Sequence, residues 1–149
     1  MTTSISLKIS SLLSAIRERL SYAAGKSAGS SREFFRLHAC EADDPMLSAL
    51  LSEALSVILV SAGSNRLGYS VSDKKVSFTL FSSWPESRVR ELSDLLKNLL
   101  IAIILWKWAL LTGWDAGPVW QSEAASLLVS LADFFKPYGP LLPRNCGPF

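Results

Sequence analysis

Among 149 residues the chain has one histidine, two cysteines and two methionines, and only 19% of its residues are charged. These shortages exclude much chemistry. A Ser-His or Cys-His nucleophile pair would have to use His38, and nothing around His38 argues for one. His38 with Cys40, beside Glu41, Asp43 and Asp44, offers too few soft ligands and matches no zinc spacing. No glycine-rich phosphate loop of the GxxxxGK[ST] or GxGxxG kind occurs, and Gly113 and Gly117 read as helix punctuation. Carboxylates pair only as exposed neighbours such as Asp43-Asp44. The expectation is therefore no catalytic residue, no cofactor and no metal. The formal charge of +2 gives no field that would gather nucleic acid. Cys40 and Cys146 lie far apart in sequence and read as free thiols in a reducing compartment.

What the chain has instead is a concentrated apolar stretch. Leu99–Trp120 reads LLIAIILWKWALLTGWDAGPVW, with four of the five tryptophans and only Lys107 and Asp115 charged. Such a segment is the middle of a core, a membrane span, or a surface that another subunit covers. Lys107 interrupts the run after eight residues, whereas a span needs about 20 apolar residues, so a buried helix is expected. The N-terminal MTTSISLKISSLLSAIRERL has spaced rather than continuous apolar residues and reads as an amphipathic helix, not a signal peptide.

The spacing predicts a first helix over about Ile5–Ala23, because Ile5, Ile9, Leu12, Leu13, Ile16 and Leu20 share one helical face. Gly25–Ser31 reads as a loop, and Arg32–Cys40 as a strand or an extended segment. A second helix is expected from Asp44 as N-cap with Pro45 at the first helical position, ending at Gly63. Leu67, Tyr69, Val71 and then Val76, Phe78, Leu80 alternate with polar residues, which predicts a hairpin at about 67–81 turning at Asp73-Lys74. Ser83 and Glu86 (SWPE) suggest a capping box that opens a long third helix to about Leu111. A fourth helix runs from Gly117-Pro118 to Lys136. The last segment, PYGPLLPRNCGPF, holds four of the seven prolines and is expected to be extended. The fold class is mainly α: a four-helix bundle-like domain over residues 1–136 with one β-hairpin, and a Pro-rich extended C-terminal arm over 137–149.

Four features point to assembly. Ser48, Ser52 and Ser56 line one side of helix two, and Ser122, Ser126 and Ser130 do the same on helix four. A solvated face usually carries charge, and small uncharged residues let a second helix approach closely. A lone hairpin is marginal in water and has open edges, so Val76 and Phe78 are expected at a subunit contact. Trp106 and Trp108 diverge by about 200° on a helix, so one should face the core and the other a helix or subunit opposite. Tyr138, Leu141, Leu142 and Phe149 supply apolar anchors on the arm.

The segments Leu12–Leu20 (LLSAIRERL), Asp44–Ala54 (DPMLSALLSEA) and helix three through Trp106-Lys107-Trp108 resemble small head–tail connector (neck or adaptor) proteins of tailed bacteriophages, in the forms found in phages and prophages of Bacteroides-type bacteria. The resemblance covers most of the chain, although the Pro-rich end from Pro137 has no counterpart in it. It implies a helical virion subunit, not an enzyme, that forms a ring as a homo-oligomer between portal and tail proteins. Its location would be the virion, and the host cytoplasm during assembly, with no specific nucleic-acid sequence and no membrane as partner. The alternatives are a membrane-associated helical protein using residues 99–114 as a short apolar segment, and a small helical module that binds an apolar ligand.

Overall fold

A computed structural model describes residues 2–27, 39–114 and 117–135. The order of elements is β1 (Thr3–Lys8), α1 (Ile9–Ser27), a short 3-10 turn (Glu41–Asp43), α2 (Asp44–Ala62), β2 (Leu67–Val71), β3 (Lys75–Leu80), α3 (Glu86–Thr112) and α4 (Gly117–Phe134). The fold is mainly helical, with four helices and a small antiparallel sheet among the described residues.

α3 is the organising element. Its 27 residues span about 40 Å at 1.5 Å per residue. Leu99, Leu100, Ile101, Ala102, Ile103, Ile104 and Leu105 are all buried in succession. Seven consecutive positions cover every direction around a helix, so this segment is enclosed on all sides. α4, α2 and α1 supply that enclosure. The N-terminal half of α3 is different, with Arg90, Glu91, Asp94 and Lys97 exposed. Gly113 closes the helix at φ 67°, with its N–H donating to the Ala109 carbonyl, the left-handed end that glycine takes without a Cβ penalty.

The N-terminus corrects the expectation of a helix from Ile5. Thr3–Lys8 is a strand, and α1 follows at Ile9 without a linker. Ile5, Leu7 and Ile9 alternate with Ser6 and Lys8, and a separation of four residues fits period two as well as a helix. Thr3, Ser4 and Ser6 are weak helix formers, and pairing with β3 decides the outcome. α1 also runs further than expected, through Gly25 to Ser27.

The hairpin at 67–81 is present, and Ser72 closes its turn by donating its N–H to the Lys75 carbonyl at 2.9 Å. The sheet order is β1-β3-β2, so β3 is central. β1 supplies from the same chain the strand that the sequence reading looked for in a neighbour. Ile5 and Leu7 pair with Phe78 and Val76, and on that face Ile5, Val76, Phe78, Leu80 and Leu67 are buried against the helices. The opposite face carries Ser4, Ser6, Lys8, Lys75, Ser77, Thr79, Gly68 and Ser70.

Two helix starts also differ from expectation. Asp43, not Asp44, occupies the cap of α2, without a side-chain cap bond, and Pro45 is one residue further in. The Asp43 carboxylate instead accepts the Cys40 N–H at 2.9 Å and closes the 3-10 turn. The Ser83–Glu86 capping box does not form: Pro85 is the cap residue of α3, with φ −59° and ψ 146°, and no side chain caps the helix. Pro85 biases Trp84 away from helical geometry, so the helix begins after the proline. α4 ends at Phe134, short of Lys136.

Candidate functional site

The described residues gather no group of three His, Cys, Asp or Glu side chains that could hold a metal ion. Cys40 is exposed with a free thiol, while His38 and Cys146 lie outside the described residues. The surface features that stand out are helix faces, and they are built from the residue types the sequence singled out.

On α2 the solvent side presents Met46, Ser48, Ala49, Ser52, Glu53, Ser56 and Val60. Glu53 is the single charge in that set. On α4 the solvent side presents Val119, Ser122, Ala125, Ser126, Val129, Ser130 and Asp133. Val60 is 84% exposed, Val119 68% and Val129 62%. Three of the six serines bond their own helices. Ser52 Oγ donates to the Ser48 carbonyl at 3.4 Å, Ser56 Oγ to the Ser52 carbonyl at 3.3 Å, and Ser130 Oγ to the Ser126 carbonyl at 3.2 Å. A hydroxyl folded onto the carbonyl four residues back is already hydrogen-bonded. These faces therefore expose mostly small and apolar groups. α2 and α4 are neighbours in the bundle, and Arg19 of α1 reaches Glu123 of α4 at 3.6 Å.

Val76 and Phe78 are fully buried. Their expected role at a subunit contact is corrected: the pairing of β1 with β3 turns them into the chain's own core. Trp108 is buried, and Trp106 on the other side of α3 is half-buried, with the Lys107 ammonium 4.8 Å from its ring centre. Trp114 and Trp120 meet edge to face at 5.1 Å and close the α3–α4 corner. The tryptophan concentration is thus mostly internal packing, and Trp106 keeps part of its surface free. Tyr138, Leu141, Leu142 and Phe149 lie outside the described residues.

The sequence reading passed over Trp84 and Arg88. Trp84 stacks on Phe134 at 4.9 Å, and Phe135 meets Phe134 edge-on at 5.3 Å. The Arg88 guanidinium lies 4.2 Å from the Phe134 ring centre, donates to the Phe134 carbonyl at 3.3 Å and reaches Glu91 at 3.2 Å. Arg88 also borders a surface hollow shared with Leu95, Ser130 and Asp133. The group ties the end of α4 to the start of α3. The only sequence signals for it were an aromatic residue before Pro85 and the Phe-Phe pair at the close of α4.

α2 with its preceding turn (Glu41–Ala62) and α3 are both long and apolar enough to cross a membrane. The α3 run is buried inside the chain, whereas the outward face of α2 is not. Compared with known proteins, the chain matches no family model, no curated protein and no solved structure.

Proposed function

We propose that this chain is a structural subunit and not an enzyme, that it assembles with further copies into a ring, and that its place is the neck of a tailed-phage virion between portal and tail proteins. The observation that carries the assembly reading is the outward side of α2 and α4. It is low in charge, Ser52, Ser56 and Ser130 bond their own backbone, and Val60, Val119 and Val129 stand in solvent. Apolar groups left in solvent beside small residues on neighbouring helices support a surface that another protein covers, although Tyr22, Val71, Phe81, Leu110 and Leu111 are exposed elsewhere on the chain. The neck assignment is supported by the resemblance of Leu12–Leu20, Asp44–Ala54 and the α3 segment through Trp108. Location in the virion, and in the host cytoplasm during assembly, follows from the same reading.

A membrane-associated reading has one observation in its favour, the length and apolarity of α2 and α3. One experiment separates the two. The full chain is extracted without detergent and sized by light scattering, and its particles are imaged. Ring-shaped particles of fixed stoichiometry that bind a purified portal support the neck reading. A chain recovered only with detergent, or a monomer at every concentration, overturns it.

A further inference from the structure

We propose that copies of this chain join head to tail, with the lysine-bearing outer face of the sheet in one copy seated on the α2–α4 side of the next. This rests on the assembly reading above and names its contact surfaces.

The charges are segregated. α2 and α4 contain no lysine or arginine, and their charged residues are Asp44, Glu53, Glu123 and Asp133; Asp44 and Glu123 are paired with Arg17 and Arg19 of α1, and Glu53 is the exposed acid in the middle of α2. The outer face of the sheet is the reverse. Small hydroxyl residues there surround Lys8 and Lys75, Lys74 sits in the turn, and Asp73 is the only acid of the sheet and its turn.

Lys8 and Lys75 are directly opposite each other in the β1–β3 register. Like charges so placed repel across an antiparallel pair. Among the described residues neither lysine makes an ion pair, and neither does Glu53. α4 packs on α3 and α2 and against none of the strands, so the two faces do not satisfy each other within one copy. A carboxylate from outside would relieve the lysine pair, and a second copy carries one at Glu53 on a face that also needs cover for Val60 and Val129.

The complementarity selects the geometry. A two-fold contact of the α2–α4 side with itself offers Glu53 no lysine or arginine from α2 or α4, and the sheet on itself would set lysine on lysine. Joining the two unlike faces is heterologous, the contact type that closes into rings when the rotation allows.

The test measures association of the full chain by light scattering at about 0.05 M and about 0.5 M salt, since such exposed pairs are screened at the higher value. The expected result is association weakened at least about tenfold by salt. Glu53→Lys alone and Lys8→Glu with Lys75→Glu should each weaken it as much, and the three changes together should restore it to within about threefold. All three sites are exposed, and circular dichroism checks that the variants fold. Assembly that ignores salt and every variant overturns this contact and leaves the assembly reading standing. A triple variant that stays dissociated while folded overturns it too. A wild-type chain that is monomeric throughout overturns both. Phosphatidylserine vesicles are the control: binding lost in the lysine variant with assembly unchanged would assign the sheet to a membrane surface and overturn the contact.

Discussion

Ile5 and Phe78 face each other across the β1–β3 register, both buried, 73 positions apart in the chain. That pair converts an isolated hairpin into a three-stranded sheet whose central strand points Val76, Phe78 and Leu80 at the helices. Phe78→Ala should therefore cost about 3–5 kcal/mol, the usual range for emptying a buried aromatic position. Urea unfolding measures it. A loss below about 1 kcal/mol would mean the sheet is not part of the core.

The helices were legible because their buried positions recur with helical spacing: Leu47, Leu50, Leu51, Ala54, Leu55 and Ile58 on α2 are all buried as the pattern requires. The hairpin was legible by its alternation. β1 was not, since Ile5 and Ile9 satisfy both periods and only a partner distant in sequence chooses between them. The same cause hid the α4 anchor: Trp84 and Arg88 acquire their role from Phe134, 46 residues or more away. The serine stripes were visible as a pattern, and the structure adds the backbone bonds of Ser52, Ser56 and Ser130.

Trp106 and Trp108 should respond unequally to truncation. Trp108 is 6% exposed, and Trp108→Ala should cost about 3–5 kcal/mol. Trp106 keeps part of its ring in solvent beside Lys107, so Trp106→Ala should cost less than half as much in the isolated chain. If Trp106 also lies under a neighbouring copy, its substitution will weaken assembly beyond its effect on stability. Thermal unfolding read beside light scattering separates the two contributions.

Gly113 tests backbone conformation alone. Its φ is 67°, and a Cβ built there meets nothing within 4 Å. Any cost of Gly113→Ala is then conformational, about 1–2 kcal/mol for a left-handed alanine. Gly113→Asn should recover part of it, because asparagine tolerates that region better. Equal stability of the alanine variant and the wild type in urea would show that α3 ends differently.

Arg17 of α1 meets Asp44 in the first turn of α2 at 2.5 Å. The pair bridges two helices whose connection, residues 28–43, lies outside the described residues over 28–38. Both side chains keep contact with solvent, 21% and 33% exposed, so screening limits the gain to under about 1 kcal/mol. A double-mutant cycle with Arg17→Gln and Asp44→Asn should give a coupling of that size that falls at high salt.

Arg88 should resist the change that keeps its charge. Its guanidinium lies over the Phe134 ring while donating to the Phe134 carbonyl, one of the last-turn acceptors of α4. A lysine ammonium has no flat face to lay on an aromatic ring and no fork to reach Glu91 and the carbonyl together. Arg88→Lys should thus cost about 1–2 kcal/mol despite equal charge. The damage should be local. Amide hydrogen exchange should quicken in the last turns of α4, around Leu131–Phe134, while the buried run of α3 keeps its protection. Trp84→Leu should produce the same local pattern, because it removes the ring stacked on the other part of the clamp. A uniform rise in exchange across all four helices would mean that Arg88 supports the whole domain, not the attachment of α4.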